Sequence, residues 1–223
     1  SYHDHNIREK GEAIVREIQS GKNAAIVTDA GMPCISDPGE DLVRLCAENG
    51  IVVEVVPGPS AVISALAVSG LITSRFSFEG FLSTSRKSRT EHLESLVSYP
   101  NTLIFYEAPH KLVATLKDFL EYFGDRKISL ARELTKIHEE GFRTTVSAAL
   151  EFYEHHTPKG EFVLVLEGAP KSEPEDILSF DDAVRLVNQM VEGGKPLSMA
   201  AKEGAQATGY KKNDLYQRIV KND

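Results

Sequence analysis

The sequence predicts an α/β fold of parallel strand and helix units, and three observations carry that expectation. Short apolar runs rich in β-branched residues alternate with helical patterns, the first two runs each end in a glycine- and proline-containing loop, and a helical stretch follows each loop directly. At 223 residues with 41% hydrophobic content, the chain can bury a real core and has the length for two compact domains.

The elements follow in order. Residues 8–20 carry Ala13, Ile14 and Ile18 at helical spacing and stop before Gly21, and 24–27 is a short β-rich run. Residues 38–49 are helical, with proline at the start and Gly50 after the end. A second apolar run, 51–56, leads into PGPSA and a small-residue helix over 60–69 that Gly70 ends. A second series begins near Ser74: a strand at 76–82, a helix at 89–98, a strand at 102–106, and an amphipathic helix over 109–123. Strands at 127–131, 144–146 and 162–166, with a helix near 147–155, complete it. KSEPEDILSFDD, 171–182, is polar and acidic and reads as a linker, followed by three short helical patterns over 183–223. The domain layout expected is therefore 1–73, 74–170, linker 171–182 and a helical unit 183–223.

Composition excludes some functions. The longest apolar run, 61–72, falls short of the ~18 residues that span a bilayer. No secretory pattern is visible at the N-terminus, although the chain opens on Ser1. Cys34 and Cys46 have no metal-binding or disulfide spacing, which fits a reducing, cytoplasmic setting. His3 and His5 have no third ligand nearby, so no metal is expected. A net charge of −8 argues against non-specific wrapping of nucleic acid. The charge is uneven, however: six basic and two acidic residues lie between Lys195 and Lys221, and Arg86, Lys87 and Arg89 form a second basic knot. Either cluster reads as a solvated face or as a contact with phosphates.

The first two loops are the informative ones. In a parallel sheet, ligands sit beyond the carboxyl ends of the strands, where helix N-termini aim amide hydrogens outward. Residues 28–39 and 57–60 are two such loops, stiffened by Pro33, Pro38, Pro57 and Pro59. Asp29 and Asp37 would repel a phosphate, so a ligand with positive charge and hydroxyls fits better.

The motifs TDAGMPCISDPG (28–39), PGPSA (57–61), SGL (69–71), FEGFL (78–82), FYEAPHK (105–111), RELTK (132–136) and GEFVLVLEG (160–168) resemble the tetrapyrrole-methylase superfamily, and most closely its branch that methylates ribosomal RNA. The resemblance covers nearly the whole chain in order. It implies two αβα domains of the class III methyltransferase type plus a small helical C-terminal unit. It further implies S-adenosylmethionine as methyl donor, 2′-O-methylation of a cytidine in the decoding region of 16S rRNA, the small ribosomal subunit as partner, and a homodimer. Family members begin with a glycine- and proline-containing strand and loop, whereas this chain starts at SYHDHN, which resembles a later segment; an absent first strand is expected to leave an open sheet edge. Lys111 stands where the family more often has arginine.

Carried over by motif, the donor pocket comprises Asp29, Ala30, Gly31, Met32 and Pro33 from the first loop and Ser60 and Ala61 from the second. Ala108 and the strand end near Leu166 and Glu167 close it. Glu107, His110 and Glu133 are the candidates for the catalytic base, with Asp37 an outsider. Glu107 and His110 flank Pro109, so both serve equally well as caps of the helix that starts there. Candidate RNA contacts are Arg86, Lys87, Arg89, Arg132 and Lys136, and Lys211, Lys212 and Arg218 in a helix-turn-helix-like tail. Two rival readings remain: a catalytically silent, truncated module that binds RNA or a partner, and a superfamily methylase acting on a tetrapyrrole or a diphthamide precursor.

Overall fold

The computed structural model describes residues 7–170 and 179–221, with side chains from residue 10 onward. The chain divides into two compact units, 1–170 and 171–223.

In the first unit, α1 (Ile7–Gln19) and α2 (Glu40–Glu48) pack on each other through Val15, Leu42 and Cys46. Then α3 (Ala61–Ser69) ends at Gly70, which takes the left-handed backbone that a helix C-terminus favours. The strands β1 (Phe76–Phe81), β2 (Thr102–Glu107), β3 (Lys127–Arg132), β4 (Glu140–Thr145) and β5 (Phe162–Leu166) form one sheet in the order β1-β2-β5-β3-β4. Only β1 and β2 run parallel; β5 is antiparallel to both β2 and β3.

Alternation along the strands divides the core into two layers. Leu103 and Phe105 of β2 face α4 (Arg86–Leu96), α5 (Leu112–Phe123) and α6 (Val146–His155), whose Leu93, Leu116, Phe119 and Ala149 are fully enclosed. Ile104, with Val163, Val165 and Ala131, turns the other way and is covered by Val62, Ala65 and Leu66 of α3. This places the helix that follows PGPSA directly on the sheet of the second series.

The structure corrects several expectations. Residues 24–27 and 51–56 form no strand among the described residues. Ile26 and Ile51 rest against the α1–α2 cluster, but Val27, Val52 and Val56 are more than 80% exposed. Apolar content gives a segment a reason to be covered, but a strand also needs a neighbour for its backbone, and these two have none here. Helix α4 starts at Arg86 rather than residue 89, and β4 starts at Glu140, well before 144.

In the second unit, α7 (Phe180–Glu192) begins inside the stretch read as a linker, because the Ser179 hydroxyl accepts the Asp182 N–H at 3.1 Å and caps it. Residues 171–178, and His3 and His5, lie outside the described residues. Helices α8 (Leu197–Thr208) and α9 (Lys212–Val220) are joined at Gly209, and Ala200, Ala201, Leu215 and Ile219 fill a core with Val187. No helix among the described residues is long and apolar enough to cross a membrane.

Candidate active site

The two loops meet. Gly31 has φ +75°, and a β-carbon there would lie 3.2 Å from the carbonyl oxygen of Pro59; the Met32 sulfur packs 3.4 Å from where a Gly58 β-carbon would stand. The first loop is thus seated on the second, and Met32 is used in that contact. Asp29, Ala30, Gly31 and Ala61 are exposed, while Met32, Pro33 and Ser60 are half-buried. The Ser60 hydroxyl makes no capping hydrogen bond to α3, so the N-terminus of that helix keeps polar groups for a ligand.

The loops lie near one end of β2. The Tyr106 ring stacks edge-on to Phe78 at 4.9 Å and tilts against Phe81 at 5.5 Å, and it packs on the cluster that includes Val62 in the first turn of α3. Burial pushes the Tyr106 phenol up; the Val62 N–H opposes this, while the Asp37 and Glu161 carboxylates reinforce it. Burial and the charges of Asp37, Asp41 and Glu40 likewise raise Cys34.

Strand direction changes one side of the expected pocket. Glu107 pairs with Phe162, whereas Leu166 pairs with Leu103 at the far end of β5. Four residues of strand separate the two ends by about 13 Å. Leu166 is fully buried in the core and Glu167 sits beside Lys127 at 3.7 Å, so the residues at Ala108's end of the sheet are Glu161 and Phe162. FVLVL is apolar throughout and gives no sign of its direction, so the sequence alone does not say which of its ends lies beside Ala108.

The three candidate bases occupy different surroundings. Glu107 is buried, and both carboxylate oxygens are committed: one accepts the Ala108 N–H at 2.9 Å, the other the Thr115 hydroxyl. Thr115 in turn accepts Arg89 at 2.8 Å, and Arg89 pairs with Asp118 at 2.5 Å. Glu133 sits at φ +49°, and its carboxylate accepts the Glu161 N–H and the Lys136 ammonium, both at 3.1 Å. Those two donors hold its carboxyl below the ordinary carboxylate range, the backbone N–H contributing most. His110 is exposed in a single 3-10 turn, Pro109–Lys111, and makes no hydrogen bond among the described residues.

A carboxyl whose folded pKa lies below its unfolded one stabilises the fold above the unfolded value, near 4.5 for Glu133, and loses that contribution as pH falls through the folded value. Thermal unfolding followed downward from about pH 4.5 should therefore show wild type losing stability faster than Glu133→Gln. Parallel curves would remove the clamp role of Glu133.

The cationic candidates also separate. Arg86 and Lys87 are exposed in the first turn of α4, where positive charge opposes the helix dipole; Lys87 has only a loose 3.8 Å contact with Glu91. Arg89 is turned inward to Asp118 and Thr115 and does not join them. Arg132 pairs with Glu140 at 2.7 Å, and Lys136 with Glu133. In the second unit Lys211 and Lys212 are exposed at the start of α9, and Arg218 lies 3.9 Å from Asp181.

Residues 2–150 match the family of tetrapyrrole (corrin/porphyrin) methylases. The chain belongs to the tetrapyrrole methylases. Residues 179–222 of this methylase match the RsmI C-terminal HTH domain, the unit built from α7, α8 and α9. It is 44% identical over 220 residues to the ribosomal RNA small subunit methyltransferase I of Synechocystis, covering 97% of this chain and 78% of that one. The protein of that name from Haemophilus influenzae is 44% identical over 96% of this chain and 76% of its own. Among solved structures, the methyltransferase CobJ aligns with a TM-score of 0.55 at 16% identity, covering 72% of this chain and 71% of its own, and a diphthine synthase with 0.52 at 11%, covering 74% and 67%. At those identities the structures show the shared α/β fold.

Proposed function

We propose that this tetrapyrrole methylase is a cytoplasmic enzyme that transfers a methyl group from S-adenosylmethionine to the 2′-hydroxyl of a cytidine ribose in the decoding region of 16S rRNA. The observation that carries the reading is the seating of the first loop on the second, in a chain 44% identical to proteins named for small-subunit rRNA methylation. The residues present suit the donor: the rim bears the carboxylates of Asp29 and Asp37 for a cationic ligand, the loops approach too closely at Gly31 to admit a side chain, and the N-terminus of α3 suits a carboxylate.

When bound, the donor supplies an electrophilic methyl carbon; the chain supplies position and a proton acceptor. In this reading residues 1–73 carry the donor loops, 74–170 the acceptor side, and 183–223 a grip on RNA through Lys211, Lys212 and Arg218. Alignment of the attacking oxygen can contribute ~7–11 kcal/mol and a general base ~10²–10⁴ in rate, so geometry dominates. Of the three candidate bases, the exposed His110 is the one whose side chain is uncommitted, and we assign it the proton of the ribose hydroxyl. Ala108, between it and the buried Glu107, borders the donor. The exposed Val52, Val55 and Val56 give the expected homodimer an apolar surface to bury.

The test is incubation of the full chain with labelled donor and small subunits, or free 16S rRNA, followed by mapping of 2′-O-methylation. One modified cytidine in the decoding region supports the reading; label on another nucleotide, or on a base, overturns it. Replacing Arg86 and Lys87 with serine, leaving Arg89 intact, should weaken RNA binding and flatten its salt slope by about 1.4 in log units, at ~0.7 per single-strand phosphate contact. An unchanged slope returns both residues to the solvated face.

A further inference from the structure

The segments that follow β1 and β2 leave the sheet side by side. The two strands are parallel, with Phe81 beside Tyr106, so the N-terminus of α4 and the Pro109–Lys111 turn both stand beyond the carboxyl ends of neighbouring strands. Arg86 and Lys87 lie on the first and His110 on the second. What joins the two is polar. Arg89, one turn after Arg86, donates from Nε to Asp118 at 2.5 Å and from Nη2 to the Thr115 hydroxyl at 2.8 Å. Thr115 has a single O–H, which it donates to Glu107; the other Glu107 oxygen accepts the N–H of Ala108 at 2.9 Å, two residues before His110. Thr115 and Glu107 are both buried, and Thr115 is the polar exception on the face of α5 that places Leu112, Leu116 and Phe119 in the core.

Apolar packing between α4 and α5 would tolerate a small slide; this network does not. Each link is directional, and a buried group that loses its partner carries the full cost of its desolvation, so a shift of α4 along α5 breaks several bonds at once. Thr115 and Asp118 are three residues apart on one face of α5, and the planar fork of Arg89 spans both, which fixes an angle as well as a distance. We propose that Arg89 and Thr115 are positioning residues of the methyl-transfer site: through Glu107 they hold the first turn of α4 at a set distance from the His110 turn, so that an RNA strand gripped by Arg86 and Lys87 presents its ribose hydroxyl to the imidazole. Arg89, expected from the sequence to contact RNA, acts on it through Arg86 and Lys87 without touching it.

This rests on the rRNA methyl-transfer reading, and the readouts separate the two. Thr115→Val removes the hydroxyl and Thr115→Ser keeps it. In the full chain, hydrogen exchange at the Arg89 amide, bonded to the Ser85 carbonyl, and at the Ala108 amide, bonded to Glu107, should accelerate together by about five- to tenfold in Thr115→Val and stay near wild type in Thr115→Ser. Single-turnover methyl transfer to small subunits or free 16S rRNA should slow by about 10- to 100-fold in Thr115→Val, as for a reacting group displaced by about 1 Å, with donor and RNA dissociation constants unchanged. Thr115→Ser should restore the rate. Replacing Arg86 and Lys87 with serine should slow transfer from bound RNA in the wild type but no further in Thr115→Val, as expected of residues that act through one tie. If Thr115→Val does not fold, Asp118→Asn, at the outer end of the network, carries the same expectations. A lowered thermal midpoint with a wild-type rate makes the network structural only and overturns the proposal, as do rate losses that simply multiply, or loosening of one amide without the other. A wild-type chain that methylates no RNA, with both amides still loosened together in Thr115→Val, counts against the methyl-transfer reading and leaves the tie between the two turns established.

Discussion

Gly31→Val should weaken S-adenosylmethionine binding by about 10- to 100-fold while leaving the five-stranded sheet intact. Two penalties act at the same atom. At φ +75° the left-handed backbone costs an L-residue about 1–2 kcal/mol, more for a β-branched one, and the new β-carbon would stand 3.2 Å from the Pro59 carbonyl. The neighbour is backbone in a loop stiffened by Pro57 and Pro59, so it cannot swing away as a side chain would. Relief comes from lifting the first loop off the second, which opens the rim between Asp29 and Ser60. Nothing in the α4, α5 and α6 layer touches this contact, so the thermal midpoint should fall by far less than the affinity. Calorimetric titration beside a melting curve checks both, and wild-type affinity in Gly31→Val would remove the paired loops from the donor site.

His110→Ala and Glu107→Gln should part in opposite directions. Removing the His110 imidazole should lower the rate of methyl transfer by ~10²–10⁴ with donor and RNA affinities unchanged, because an exposed side chain without a hydrogen-bonded partner contributes little to the fold. Glu107→Gln should cost stability, about 1–3 kcal/mol, since its oxygens serve the Ala108 N–H and the Thr115 hydroxyl in a buried chain that continues to Arg89 and Asp118. An amide can accept only one of those two donors well, and its NH₂ would face a group that is itself donating. Equal loss of rate in both variants at full stability would instead make Glu107 part of the chemistry.

Local punctuation made much of this legible. Gly70 ends α3, Pro109 marks the turn before α5, and the apolar face of 112–123 was readable at helical spacing because Leu112, Leu116, Phe119 and Phe123 all point into one core. What the sequence withheld has identifiable causes. Strand β4 is the polar EGFRTT, an edge strand with little of its surface covered, so only its last residues carried a β signal. All five residues of β5 are buried, and a run without alternation says nothing about which way it enters a sheet, so the sequence did not show that Leu166 lies at the end away from Ala108. Arg86 and Arg89 are three residues apart and identical in type, yet one is in solvent and the other holds Asp118, a difference set by where Thr115 and Asp118 fall on α5.

The most direct test of the account is a titration of S-adenosylmethionine into the 223-residue chain, with Asp29→Ala measured beside it. The account predicts one site per chain, a weaker constant in Asp29→Ala, and RNA affinity untouched by that change. Absence of binding, or donor affinity indifferent to Asp29, would contradict the assignment of the two loops as the methyl-donor site.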